Sequence, residues 1–263
     1  MLARIDAVAT TDVALSVSNL TVSLPPGMER EHAVENLSFD LKRGQILCII
    51  GESGSGKSVT ANAIMGLLPK VIRVTGGAME LDGRSIMGLP VDELRSLRGR
   101  IVSMIFQDPL SALNPLMTVG EQITEVMAAH GVGTPESRRS RAIEMLTEVG
   151  LPDPPLMYLQ YPFRLSGGQR QRVMIAMALV LEPTILIADE PTTALDVTTQ
   201  AQILALIRDI QRRKGMSVMF ITHDFGVVAE IADSVVVMEK GHIVEQGSSD
   251  QVLKSPTHPI PSA

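Results

Sequence analysis

Gly51-Glu-Ser-Gly-Ser-Gly-Lys-Ser58 satisfies every fixed position of the phosphate-loop pattern G-x-x-x-x-G-K-[ST]. The flanks agree with it. Gln45-Ile-Leu-Cys-Ile-Ile50 is a short apolar run of buried-strand type, and Val59, Ala63, Ile64, Leu67 and Leu68 recur at helical spacing as far as Pro69. Strand, glycine loop, helix is the order that anion binding requires. Glycines let backbone N–H groups turn inward around phosphate oxygens, and the helix start adds unpaired N–H groups and the positive end of its dipole. Lys57 supplies a mobile charge for the β- and γ-phosphates, and the Ser58 hydroxyl suits Mg2+. An accidental Gly/Ser turn would not carry that strand and that helix.

Upstream, Ala14 to Leu24 and Ala33 to Leu41 alternate as strands around a turn at Pro25-Pro26-Gly27, and residues 1–11 read as a flexible tail. Downstream, Gly76-Gly77 and Asp82-Gly83 bracket Ala78–Leu81 like a small hairpin, Asp92 caps a short helix through Leu97, and Ile101–Phe106 is a buried strand. The character then changes. Residues about 108–168 read as a helical insertion, with a capping box at Thr118-x-x-Glu121, Thr134-Pro135 opening a further helix and Gly150 stopping it. Alternation then returns: helix 168–182, strand Ile185–Asp189, helix 197–214, strand Ser217–Thr222, and a helix from Asp224 to Asp233. Val235–Met238 and His242–Glu245 flank a turn at Lys240-Gly241. This order predicts an α/β chain with a mostly parallel, doubly covered sheet.

Composition narrows the function. The chain has 263 residues, 45% hydrophobic and with net charge −6, which suits a large core and argues against a nucleic-acid partner. The single cysteine, Cys48, rules out a disulfide scaffold and reads as core filler. The most apolar window, Val173 to Ala188, is broken by Glu182 and Pro183 and is too short to span a bilayer. No apolar run near the amino terminus is long enough for a signal peptide.

Further motifs follow in a telling order. An apolar strand exits into Asp189-Glu190, delivering one carboxylate to the Mg2+ region and a second that can polarise an attacking water. Leu165-Ser-Gly-Gly-Gln169 opens a helix, where Ser166 and two glycines can bond an anion. Gln107 closes one strand, Thr193-Ala-Leu-Asp196 follows the carboxylates, and His223 ends a later strand. Each alone has an ordinary structural reading: a solvated strand exit, a Ser-capped helix, a polar strand end, a surface histidine. Together they do not.

As a set, over about residues 13–255, they resemble the nucleotide-binding subunits of ATP-binding cassette transporters. The resemblance implies a P-loop NTPase (RecA-like) core with an antiparallel β subdomain and an α-helical insertion subdomain, within a domain spanning 12–255 and followed by a short tail, 256–263. It implies that Gly51, Glu52, Ser53, Gly54, Ser55, Gly56, Lys57 and Ser58 form the Walker A loop, with Gln107 and Leu24 also at the ATP. Leu165, Ser166, Gly167, Gly168 and Gln169 are then the signature, serving the ATP of an opposing subunit. Asp189 is the Walker B aspartate, joining Ser58 and Gln107 around Mg2+. Glu190 is the catalytic base, Ala194, Leu195 and Asp196 are the D-loop, and His223 is the switch histidine.

The implied activity is ATP hydrolysis coupled to import. The implied partners are a second such ATPase, identical or not, two transmembrane permease subunits contacted through the Gln107 segment and the helical insertion, and a periplasmic solute-binding protein. The implied place is the cytoplasmic side of the inner membrane, peripherally. Met104–Pro115, Tyr161–Ala178 and Ser255-Pro-Thr-His-Pro259 are similar to the bacterial peptide/nickel importer branch, whose cargoes include peptides, glutathione, nickel chelates and opines.

Several departures qualify the match. Leu24 stands where the family usually stacks an aromatic ring on adenine, which leaves a regulatory cassette with little turnover as the rival reading. The branch's usual His-Pro-Tyr-Thr is replaced by His258-Pro-Ile260, which implies either a shortened chain or half of a tandem fusion. Val59 stands where Thr is frequent. A ribosome-bound double cassette and a DNA-repair cassette fit less well, for want of a basic linker and of a long heptad insertion, and a GTPase lacks its Asn-Lys-x-Asp reader. Base–aromatic stacking is worth roughly 1–3 kcal/mol. Leu24→Tyr is therefore expected to lower the ATP dissociation constant, measured by titration; equal affinity in both forms would end that explanation.

Overall fold

A computed structural model describes residues 12–193 and 195–258. The expectations placed on residues 1–11, Ala194 and 259–263 lie outside the described residues. In chain order, β1 (Val13–Ser23), β2 (His32–Lys42) and β3 (Ile46–Gly51) precede α1 (Lys57–Met65). β4 (Arg73–Leu81), β5 (Arg84–Ser85), α2 (Val91–Leu97) and β6 (Val102–Ile105) follow. The insertion holds α3 (Pro109–Ala112), α4 (Val119–Ala129), α5 (Pro135–Glu148) and α6 (Pro154–Tyr158). Then come α7 (Gly167–Leu179), β7 (Ile185–Asp189), α8 (Val197–Lys214), β8 (Ser217–Thr222) and α9 (Phe225–Ile231). β9 (Ser234–Glu239), β10 (His242–Ser248) and α10 (Ser249–Lys254) complete the order.

The central sheet has six strands in the order β10-β9-β3-β8-β7-β6, parallel except for β10. Its five parallel strands are buried and mainly apolar on both faces, as a covered parallel sheet requires. Side chains alternate between two cores. Ile46, Cys48 and Ile50 of β3 join Val218 and Phe220 of β8 and Leu186 and Ala188 of β7 on the face covered by α7, α8 and the insertion. Leu47 and Ile49, Met219 and Ile221, and Ile185 and Ile187 face the other way, toward α1 and the second sheet. That second sheet is antiparallel, four strands in the order β2-β1-β4-β5. Its alternation is the β1 and β2 pattern read from the sequence: Leu15, Val17, Leu20 and Val22 are buried, as are Val34, Leu37, Phe39 and Leu41.

The insertion is helical, the capping box expected at Thr118 forms, and the helix start expected at Thr134-Pro135 proves to be a second capping box. Thr118 accepts from Glu121 N and Thr134 from Ser137 N, with each partner side chain returning the bond. Its core residues, Ile123, Ala142, Met145 and Leu146, merge with those of α7. At the rim, Arg141–Glu182, Lys214–Glu148 and Arg213–Glu148 join α5 to the main core. These pairs are partly exposed and contribute little each.

Four local expectations are corrected. α1 stops at Gly66, whose φ of 62° forms a left-handed cap, so Leu67 and Leu68 lie beyond the helix rather than inside it before Pro69. β4 continues through Gly76-Gly77, with a register irregularity against β1 where Gly77 has φ of 93°, and the tight turn is at Asp82-Gly83, with φ of 51° and 73° as a two-residue hairpin demands. α2 starts after Pro90, and Asp92 lies in its first turn without capping it. α10, capped by Ser248 and Gln251, was not anticipated.

Gly120 shows how closely the insertion is packed. A Cβ there would run into the ring of Tyr158, over which the Arg139 guanidinium also lies at 4.8 Å from the centroid. Overpacking of this kind costs about 1–3 kcal/mol. Gly120→Ala is expected to lower the thermal midpoint by roughly 2–12 °C, at some 2–4 °C per kcal/mol for a chain of this size. An unchanged melting curve would contradict the packing described.

Candidate functional site

The phosphate loop leaves β3 at the carboxyl ends of the parallel strands, where such sheets bind ligands. Two of its glycines are required by close approach. Gly51 has φ of 154°, and a Cβ on it would collide with the Met238 carbonyl of β9. Gly56, at φ 105°, would place a Cβ 2.8 Å from the Ala33 carbonyl of β2. The loop is thus wedged between the β9–β10 hairpin and the second sheet, and Gly241 N donates to Ser55 O at 3.0 Å. The Ser55 hydroxyl is buried and has no protein partner among the described residues, so it is a polar atom suited to an anion.

Lys57 heads α1 and is 5% exposed. Its ammonium donates to the Gly51 and Glu52 carbonyls at 2.7 and 2.9 Å, folded over the loop. Burial pulls its pKa down, while Glu190 and Asp189 pull it up. Ser58 Oγ donates to Asp189 Oδ1 at 3.0 Å, across from the end of β7. Asp189 is buried, and desolvation pushes its pKa up; the Ser58 hydrogen bond opposes, Glu190 adds, and Lys57 opposes. The sequence places this carboxylate correctly because four buried apolar residues precede it in a strand whose register with β8 is fixed from Ile185 to Asp189.

Glu190 turns the chain out of the strand at φ 46°, a left-handed conformation uncommon for a non-glycine residue. Its N–H donates to the Ile221 carbonyl at 3.0 Å, which fixes where the side chain starts. Three groups converge on its Oε2: Gln107 Nε2 at 3.0 Å, Thr193 Oγ1 at 3.0 Å and His223 Nδ1 at 3.4 Å. Gln107, Glu190 and His223, distant in sequence, therefore meet in one place. Thr193 opens the Thr193–Asp196 run quoted from the sequence, but no role on Glu190 is expected of it there; that contact comes from the turn beyond β7.

Lys57, Ser58, Gln107, Glu190, His223 and Leu24 all line one cavity of about 720 Å³, with Met28 and Arg30 from the β1–β2 loop. Among the described residues no Phe, Tyr or Trp ring lines it, and Leu24 does. Leu165, Ser166, Gly167, Gly168 and Gln169 do not line it. They begin α7, with Ser166 and Gln169 forming a capping box, and Leu195 and Thr199 close over Gly167 and Gly168. Asp196 caps α8 through Thr199 N at 2.9 Å. The structure thus brings the Leu165–Gln169 tip and Leu195–Asp196 together, and keeps both apart from the cavity.

Comparison with known proteins agrees with the geometry. The family described as ABC transporter matches residues 34–193. The dipeptide transport ATP-binding protein DppD of Bacillus subtilis is 50% identical over 246 residues, 93% of this chain and 73% of that protein. The peptidoglycan transport ATP-binding protein YejF of Agrobacterium fabrum is also 50% identical, over 94% of this chain and 46% of its own length, so this chain spans about half of that relative. Among solved structures, the dimeric post-hydrolysis state of the ATP-binding cassette MJ0796 bound to ADP and Pi superposes with a TM-score of 0.79. It is 32% identical and covers 89% of this chain and 98% of that one.

The buried Asp189 has a measurable cost. A carboxylate whose pKa is raised in the fold favours the protonated form, so stability falls as pH rises from the ordinary carboxylate range toward the raised value. With nucleotide and divalent cations removed, Asp189→Asn is expected to raise the midpoint at neutral pH by roughly 2–4 °C per kcal/mol recovered. A variant melting at or below the parent would contradict it.

Proposed function

The chain belongs to the ABC transporter ATP-binding family, and we propose that it is the ATP-hydrolysing subunit of a bacterial importer for peptides or a related small solute. The observation that carries this reading is the convergence of Gln107, Thr193 and His223 on one Glu190 oxygen beside the Lys57 cradle. Such an arrangement orients a carboxylate, leaving its other oxygen to take the proton of a water attacking the γ-phosphate. Lys57 can exchange its two loop carbonyls for phosphate oxygens without leaving the cavity. Burial that draws its pKa down makes its ammonium costly until an anion arrives, which favours binding of the triphosphate.

Mg2+ prefers one or two protein oxygens completed by water and phosphate, and the Ser58 hydroxyl beside the Asp189 carboxylate is such a set. When bound, Mg2+ neutralises charge on the β- and γ-phosphates. Gln107, expected there too, is directed at Glu190 in this state.

The Ser166 tip lies outside its own chain's cavity, which supports a two-chain site: the tip of one subunit completes the cradle of another. MJ0796, a relative in fold and sequence, is dimeric in its solved structure. The second subunit is either a copy or a sister chain. Exposed Leu110, Leu116, Tyr161 and Phe163 on the insertion, the two rings stacked at 5.5 Å, support docking onto permease subunits. Among the described residues no helix is long and apolar enough to cross a membrane, which is consistent with a peripheral place on the cytoplasmic side. A solute-binding protein delivering cargo belongs to the same reading.

Glu190→Gln is expected to bind ATP, to hydrolyse it about 100-fold or more slowly, and to elute as a dimer with ATP. Turnover at the parental rate would refute the role given to Glu190. ATP binding that survives Lys57→Ala unchanged would refute the cradle itself.

A further inference from the structure

The β1–β2 loop touches the phosphate loop at a point that no motif foretells. Arg30, half-buried, donates from Nη2 to the Gly54 carbonyl at 2.6 Å. Gly54 is the least constrained glycine of that loop: its φ is +78°, and a Cβ on it would meet nothing within 4 Å. Left alone, a glycine in open space samples many conformations, and ordering it on binding costs affinity. The Gly54 carbonyl and the Ser55 N–H belong to one peptide unit. Ser55 N donates to the Glu52 carbonyl at 3.2 Å, so that unit is held at both ends, by Arg30 outside and by Glu52 within. The loop that carries Arg30 is itself closed at its root by Leu24 N donating to Glu31 O at 2.8 Å.

Charge adds to geometry. Among the described residues, four ionisable groups other than His223 line the cavity, Arg30 and Lys57 against Glu52 and Glu190. Lys57 is engaged with two loop carbonyls. Arg30 therefore supplies the second cation facing an incoming triphosphate.

The geometry points to Arg30 as a positioning residue for nucleotide binding: its guanidinium sets the Gly54–Ser55 peptide of the phosphate loop before the triphosphate arrives. This rests on the reading of that loop as an ATP site. It also places part of the affinity in the β1–β2 loop, beside the Leu24 that lacks a stacking ring.

The test uses the full chain with Mg2+ and two probes, the β,γ-imido analogue of ATP and inorganic tripolyphosphate. Arg30→Met keeps most of the stem and removes charge and donors. It is expected to weaken both probes about tenfold, the scale of one charge-assisted hydrogen bond. KM for ATP should rise with kcat changing less than about twofold, the mark of lost uniform binding. The melting midpoint should stay within about 1 °C, as for a surface substitution, and Arg30→Lys should restore part of the affinity. Parental affinity of Arg30→Met for both probes overturns the proposal. So does weakening of the ATP analogue alone, which would mark a base contact, and so does an affinity loss that follows a fallen melting point and is not rescued by Lys. If the parent binds neither probe, or Lys57→Ala binds both as the parent does, the fault lies instead with the ATP-site reading.

Discussion

Two backbone carbonyls, of Met238 and Ala33, stand so close to Gly51 and Gly56 that no side chain fits between. That steric limit organises the molecule. β9 must lie beside β3, and β2 must cross above it, for the phosphate loop to be gripped from both sides. The antiparallel sheet is therefore more than a covering layer. It supplies one jaw of the cradle, and the β9–β10 hairpin supplies the other through Gly241 N on Ser55 O. The polar groups at the strand ends are then placed by register: β7 and β8, paired from Ile185 to Asp189, end together and bring Asp189, Glu190 and His223 to the same rim.

The central strands divide their side chains between two cores, and this makes the helical insertion and the antiparallel sheet answer to one frame. Cys48 and Leu47 are neighbours in sequence but belong to opposite packing clusters. A one-residue slip of β3 would exchange the two faces and carry Lys57 with it, so the register is specified twice over. Glu190 is the place where regularity is given up. Its left-handed backbone is a local strain, retained where it points a carboxylate at Gln107, Thr193 and His223.

Much of this was legible beforehand because the signals were strong and local. β7, α8 and β8 have the ends read from the sequence, since apolar runs there stop abruptly at Asp189, Gly215 and His223. The glycine loop, the capping box at Thr118 and the Thr134-Pro135 helix start declared themselves through fixed spacings. Where the reading slipped, a residue had two possible roles. Pro69 looked like the helix stop, but Gly66 reached the left-handed cap first. Gly76-Gly77 looked like a turn, but pairing with Thr21 and its neighbours across β1 carries the strand through. α10 was missed because a six-residue helix has too few turns to show a period. Thr193 and Arg30 escaped for a different reason. Their partners, Glu190 and Gly54, are met only through tertiary geometry, and a Thr in a turn or an Arg in a loop carries no signal of its own.

The lone thiol has a practical side. Cys48 is fully buried in the middle of β3, and burial, with the negative charge of Asp233 behind it, pushes its pKa far above the range in which a thiolate forms. A maleimide reagent therefore finds no native target on the folded chain. A cysteine installed on any outer helix would take a fluorophore or spin label by itself, with no background to remove and no need to disturb the strand that carries the loop. Two such cysteines, one beside the start of α1 and one beside the start of α7, would prepare the polypeptide for distance measurements between those helix tips.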